Sequence, residues 1–353
     1  MFVCKRNFLL LVPVAFFSIL FNTFCLNRKA LSENNLIGSN EIRIDLDGFA
    51  QGTTWHITYY ARDSVVTKRQ VDSILMVIDS SLSIYKPYST IVAFNNNNSG
   101  VTIDKHFRRV IEKSLETYEQ TNGLFDITIL PLVEAWGFGA QSFQEIPDSA
   151  TIGNLLNCVS SKYLKLKKYQ LSKLKPCVKI DVNGIAQGYT VDVIADFLEK
   201  KGTRNYMVEL GGEIRVRGKK LPSTESFVIG IEAPSESQYD TSQLQKILVL
   251  NRGAITTSGN YRKYYESKGQ KITHIIDPRT GYSSRNELIS VTVFAKNAIT
   301  ADAYDNALMV MGLQKAFQFV EKRKDLAAYF IYHNPNGTVA DTASSRFYKM
   351  IKQ

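Results

Sequence analysis

Hydrophobic positions recur along this chain in two periods. From Thr53 to Tyr60 the alternation sets Trp55, Ile57 and Tyr59 on one face and His56, Thr58 and Tyr60 on the other, which predicts a strand opening the folded body. Thr67 with Gln70 forms a capping-box pattern ahead of Val71, Ile74, Leu75 and Ile78. Phe107, Val110, Ile111 and Tyr118 make a second helical stripe ending near Gly123, and both stripes predict amphipathic helices facing a core. Beyond a helix at 189–201 the pattern changes: short strand-like runs at 206–210, 213–216, 227–231, 247–250, 254–257, 272–276, 289–294 and 328–332 are interrupted by a helix at 299–323. Runs of strands with few helices between them predict an α+β fold with antiparallel or mixed sheets rather than a doubly wound one. Residues 95–100 and 137–153 read as irregular loops. No repeat or boundary divides residues 41–353, which are expected to form a single domain.

The N-terminus departs from this pattern. Lys5 and Arg6 precede an apolar run from Phe8 to Phe24, broken only by Pro13, Ser18, Asn22 and Thr23. Residues 1–30 therefore read as a signal peptide or membrane anchor, with Cys25 a candidate lipid acceptor, and 31–40 as a polar linker. The body is expected outside the cytoplasm, on the periplasmic side of the inner membrane. Cys158 and Cys177 remain, either paired there or as two buried thiols. The net charge of +10 is partly a property of the N-terminal segment, since Lys5, Arg6, Arg28 and Lys29 all precede the first acid, Glu33. A lysine-rich block from Lys162 to Lys179 reads as the solvated face of a hairpin or as a phosphate or membrane-surface patch. No nucleic-acid signature accompanies the charge.

P-loop, Rossmann, zincin and nucleophile-elbow signatures are absent. Three other segments carry candidate chemistry. In KIDVNGIAQGYTVD (179–192) a strand is expected to deliver Asp181 to a glycine-bearing turn at a helix start, where free N–H groups attract anions. In TADAYDNALMVMG (300–312) Asp302, Asp305 and Asn306 stand at i, i+3 and i+4. That spacing gathers three oxygen-bearing side chains on one face, either as ligands for a hard cation such as Mg²⁺ or as an exposed polar stripe. In THIIDPRTG (273–281) His274 sits where a strand meets a loop, as a general base or as a structural histidine.

Eight motifs in this order resemble the ApbE family of FAD:protein FMN transferases: QGTTW (51–55), SIYKPYS (83–89), GLFDITILPLVEAWGFG (123–139), DVNGIAQGYTVD (181–192), ELGGEIRVRG (209–218), SGNYRKYY (258–265), HIIDPRTGY (274–282) and ADAYDNALMVMG (301–312). The resemblance implies a T-fold-related α+β architecture and an enzyme that uses Mg²⁺ to split FAD, placing FMN on a threonine of a partner flavoprotein and releasing AMP. It implies FAD contacts at Gln51, Tyr85, Leu124, Phe125, Asp126, Asp181, Gln187 and Ile275. The metal would be held by the Gly184 carbonyl with Asp302, Asn306 and Asp305, and His274 would help deprotonate the acceptor. Implied acceptors are subunits of membrane redox complexes, of the sodium-pumping NADH:quinone oxidoreductase or Rnf type. Family members usually carry Thr where Asn306 stands and a small residue where Asp305 stands. The same site with water in place of threonine would be an FAD pyrophosphatase, and without metal a non-catalytic flavin-binding lipoprotein.

Overall fold

The computed structural model describes residues 40–139, 146–234, 244–261, 263–267 and 269–352. The expected targeting segment, Cys25 and nearly all of the linker lie outside the described residues. The body opens with a hairpin of β1 (Ile42–Ala50) and β2 (Thr53–Ala61), joined by Gln51 and Gly52 at φ 52° and 78°. Positive φ at both central residues matches the right-handed twist of the strands. The capping box forms as the sequence predicts, and α1 (Lys68–Leu82) buries Val71, Leu75, Ile78 and Leu82.

The expected loop at 95–100 is partly helical. Ser89 caps α2 (Thr90–Asn96), and Asn95 turns inward to exchange two hydrogen bonds with the backbone of Ile180, at 2.8 and 2.9 Å. β3 (Gly100–Thr102), α3 (Lys105–Gln120), α4 (Leu130–Ala135) and α5 (Ser149–Leu156) follow, the last occupying the end of the expected 137–153 loop. β4 (Leu164–Lys167) and β5 (Gln170–Lys173) form the lysine-rich hairpin, with β3 as its third strand. One of its lysines is not solvated: Lys173 is buried, its ammonium donating to the Val178 carbonyl (2.7 Å) and lying 4.8 Å over the Phe94 ring. Cys158 and Cys177 form a disulfide.

No regular strand delivers Asp181. Ile180 spends its backbone groups on Asn95 and the Asp181 N–H goes to the Ile127 carbonyl, leaving an isolated bridge between Lys179 and Ile129. α6 (Asn183–Lys200) starts six residues before the expected helix at 189. β6 (Asn205–Leu210), β7 (Glu213–Arg217), β8 (Phe227–Glu232), β9 (Leu244–Leu250), β10 (Arg252–Gly259) and β13 (Leu288–Ala295) realise predicted strands, whereas β11 (Tyr264–Ser267) was not expected and β12 (Gln270–Thr273) ends three residues before the expected strand at 272–276 does. The expected helix at 299–323 is divided at Gly312 (φ 74°) into α7 (Ala298–Met311) and α8 (Leu313–Glu321). β14 (Leu326–His333), β15 (Val339–Ala343) and α9 (Ser345–Tyr348) close the chain.

Eight strands form one antiparallel sheet in the order β1-β2-β6-β7-β10-β13-β14-β15, so the fold is α+β. α6 packs Val191, Ile194 and Leu198 on Trp55, Ile57 and Val208 of the sheet, and α7 packs Ala301, Tyr304 and Leu308 on Val291, Val293 and Phe330. The opposite flanks, Ile185 and Tyr189 of α6 with Ile299, Ala303 and Ala307 of α7, meet Phe107, Val110 and Ile111 of α3. Both helices are thus a middle layer covered on two sides. Among the described residues no helix is long and apolar enough to cross a membrane.

α6 and α7 approach closely at Gly188, where a Cβ would stand 2.5 Å from the Ala298 carbonyl oxygen and 2.7 Å from Asp302 Cβ. Gly188→Ala gains up to ~1 kcal/mol of helix propensity but forces two packed backbones apart, at a cost of about 1–3 kcal/mol. The expected net result is a lower urea midpoint; an unchanged or raised midpoint would show that the two helices separate without cost.

Candidate functional site

A cavity of about 1140 Å³ opens where the β1–β2 turn, one face of α1, the start of α6, the β6–β7 turn, the end of β10 and α7 converge with Lys263 and His274. Gln51 is held there at positive φ by its side chain, which donates to Asp79 of α1 (3.2 Å) and shares a hydrogen bond with Thr190 of α6 (3.3 Å). Tyr85, beyond the end of α1, is 57% exposed on the rim.

Beside them, α6 is kinked at Gly184 (φ −82°, ψ 19°). One turn beyond the kink, the Gly188 N–H donates to Asp302 Oδ2 of α7 at 2.7 Å. One helical turn along α7, Asp305 accepts from Thr256 Oγ1 (2.7 Å) and from Asn306 Nδ2 (2.9 Å), and Ser258 Oγ donates to Asn306 Oδ1 (3.3 Å). A Cβ on Gly184 would stand 3.1 Å from Asn306 Nδ2, so the two residues face each other. Turning the Asn306 amide over exchanges its nitrogen for its oxygen at that point.

Burial pushes the Asp302 carboxyl up to about 7, with the charge of Asp192 adding and the Gly188 N–H opposing. Asp305 is raised well above the ordinary carboxylate range by burial, Asp302 and Glu213, against the hydrogen bond from Thr256. Two carboxylates in a dry site repel each other unless a proton or a cation intervenes. Among the described residues no three His, Cys, Asp or Glu side chains gather as a metal centre. Two carboxylates, an amide oxygen and a backbone carbonyl nevertheless fit Mg²⁺, which takes few protein ligands and keeps positions open for phosphate oxygens.

His274 is half-buried on the opposite wall, with Phe138 edge-on at 6.2 Å. Its Nδ1 lies 3.1 Å from the Lys263 carbonyl oxygen. A carbonyl only accepts, so Nδ1 carries the proton and Nε2 keeps the lone pair. Burial lowers the imidazole pKa, with the Lys263 charge acting the same way and the hydrogen bond to the Lys263 backbone opposing, which keeps the ring neutral near pH 7.

The structure therefore gathers Gln51, Tyr85, Gly184, Gln187, His274, Asp302, Asp305 and Asn306 on one cavity. It does not bring Leu124, Phe125, Asp126, Asp181 or Ile275 to the lining. Leu124 and Phe125 pack into the helical core, and Ile275 into the layer between α7 and the sheet. Asp126 is buried and uses its oxygens on the N–H and hydroxyl groups of Thr128 and Ser161, at 2.7–3.0 Å. Asp181, raised to about 6 by burial, accepts from the Asn183 N–H (2.7 Å) just behind the rim. Glu213 and Lys263 line the cavity without having been anticipated. The signal for Glu213 was the glycine pair before it: Gly211 and Gly212 both have positive φ, and a Cβ on Gly211 would touch Thr53 and Gln187.

Residues 51–330 match the family model described as ApbE family. The FAD:protein FMN transferase of Haemophilus influenzae is 34% identical over 315 residues, covering 86% of this chain and 90% of that protein. The FAD:protein FMN transferase of Vibrio cholerae is 34% identical over 286 residues, covering 79% and 84%. Among solved structures, the flavin transferase ApbE from Vibrio cholerae superposes with a TM-score of 0.78 at 30% identity, covering 88% of this chain and 99% of that one. The apo flavinyl transferase ApbE of Pseudomonas stutzeri gives 0.79 at 29% identity, covering 88% and 97%.

With a folded pKa of about 7 against an ordinary 3.8, Asp302 binds a proton in the folded chain that the unfolded chain has released. Its ionisation therefore costs stability as pH rises from about 4 to about 7. Asp302→Asn keeps an acceptor for Gly188 and removes that titration. In EDTA, the variant's melting temperature relative to wild type should climb between pH 4 and 7 and level off above; a pH-independent difference would contradict the desolvated carboxyl.

Proposed function

The chain belongs to the ApbE family, and from that premise we propose that it moves FMN from FAD onto a threonine hydroxyl of a partner flavoprotein and releases AMP. The observation that carries this reading is the convergence on one cavity of the α6 kink at Gly184, the oxygen-bearing face of α7 and His274. The acceptor oxygen bonds to the flavin-side phosphorus as the bond from that phosphorus to the bridging oxygen breaks. The electron pair departs with AMP, and the hydroxyl proton passes to His274 Nε2. Asp302, Asp305, Asn306 and the Gly184 carbonyl would hold Mg²⁺, which when bound neutralises charge on the diphosphate oxygens. Tyr85 offers an aromatic face to the isoalloxazine at the rim. Gln51 and Gln187, both on the cavity lining, fix the dinucleotide's orientation.

The setting follows the same reading. The basic and apolar start of the chain supports export to the periplasmic side of the inner membrane, as a cleaved signal, an anchor or a lipoprotein modified at Cys25. The Cys158–Cys177 disulfide supports an oxidising compartment. Acceptors there are flavin subunits of membrane redox complexes, of the sodium-pumping NADH:quinone oxidoreductase or Rnf type.

Incubating the protein with FAD, Mg²⁺ and such an acceptor should give a covalently yellow acceptor and AMP. Free FMN and AMP without labelling would identify a pyrophosphatase, and unchanged FAD a binding protein. Asp302→Ala should abolish labelling while far-ultraviolet circular dichroism stays native; Mg²⁺-dependent labelling by that variant would falsify the metal assignment. His274→Asn should bind FAD normally but label about 10²-fold more slowly. Labelling at the wild-type rate would remove the histidine from the proton transfer.

A further inference from the structure

Resting on the transferase reading, we propose that Lys263 is a further substrate-binding residue, whose ammonium contacts the diphosphate of the flavin dinucleotide beside His274. Lys263 lies between β10 and β11 and lines the cavity. Its carbonyl oxygen accepts from both the His274 N–H (3.3 Å) and the His274 Nδ1 (3.1 Å), which tethers the ammonium within one side-chain length of the imidazole. Its charge also reaches Asp181 on the α6 side, where it favours the ionised carboxylate. The charge of Lys263 thus acts both on the proton acceptor and on Asp181 at the turn that leads to Gly184.

Among the described residues, the cavity's other cations are differently placed. Lys68 is 3.4 Å from Asp72 and 4.5 Å over the Trp55 ring, and the charge of Lys86 acts on Asp79. Among the described residues, no ion pair or hydrogen bond engages the Lys263 ammonium. A partnerless lysine on a surface is ordinary; one that lines the same cavity as Asp302, Asp305 and Glu213 is not. That acidic wall repels a diphosphate, so binding requires positive charge on both sides of it: a cation at the carboxylates, and a fixed one opposite. Lys263 supplies the fixed one, and during transfer it offsets the charge that the departing AMP phosphate gains.

The test compares Lys263→Met and Lys263→Arg in the full chain, by equilibrium titration with FAD and with riboflavin, read by flavin fluorescence. A lost charge-assisted contact should weaken FAD about tenfold in Lys263→Met, leave riboflavin unchanged, and be largely restored in Lys263→Arg. Unaltered FAD affinity in Lys263→Met, or equal losses for FAD and riboflavin, would overturn the assignment. The titration needs no acceptor, so it decides Lys263 even if FMN transfer fails. Conversely, wild-type transfer with an unaffected variant would reject Lys263 and leave the transferase reading standing.

Discussion

The site depends on a reciprocal clasp between two buried helices. Gly188 of α6 donates its N–H to Asp302 of α7, and one turn further along α6 Asp192 accepts the Ala298 and Ile299 N–H groups at the start of α7, both at 2.9 Å. Each helix thereby supplies a carboxylate or a backbone donor that the other lacks. The absence of a side chain at residue 188 lets the axes approach far enough for both contacts to close. Arg215, 2.9 Å from Asp192, fixes the clasp to the sheet through β7. With the helices held this way, the Gly184 kink and the α7 oxygens face each other without help from flexible loops.

That arrangement is electrostatically costly in the ligand-free chain. Asp302 and Asp305 are both buried, both raised in pKa, and placed one helical turn apart. Desolvated carboxylates at this separation are tolerated because hydrogen bonds from Gly188, Thr256 and Asn306 satisfy part of their acceptor capacity, and protonation can relieve the rest. A site that disfavours its own charges favours whatever neutralises them. On the proposed reading, the same cost becomes affinity for a divalent ion and, through it, for the diphosphate of FAD.

Features that are local in sequence were legible: the Thr67–Gln70 cap, the alternation through Trp55, Ile57 and Tyr59, the spacing of Asp302, Asp305 and Asn306, and the turn at Gly184. Features that depend on distant partners were not. Asn95 reads as a loop residue because its partner, Ile180, is 85 positions away. β1 is a different case: its partner β2 is adjacent and Ile44 and Leu46 alternate with Arg43, Asp45 and Asp47, but its apolar face is only half-buried at the sheet edge. The single helix expected at 299–323 failed on Gly312, whose left-handed φ is a property of the turn it must make. Leu124, Phe125, Asp126 and Ile275 belong to motifs the family resemblance picks out, yet their side chains serve packing or internal hydrogen bonds. Lys263 and Glu213 stood in quoted motifs without a role, because only the folded chain sets them around the same space.

Direct localisation of the divalent ion tests the central claim most sharply. Crystals of the protein grown with Mn²⁺ in place of Mg²⁺, together with FAD, would reveal the metal by anomalous scattering. The peak should lie between the Gly184 carbonyl and the Asp302 and Asn306 side chains, in contact with the diphosphate. A metal bound elsewhere in the cavity, or FAD seated with its diphosphate away from α7, would contradict it.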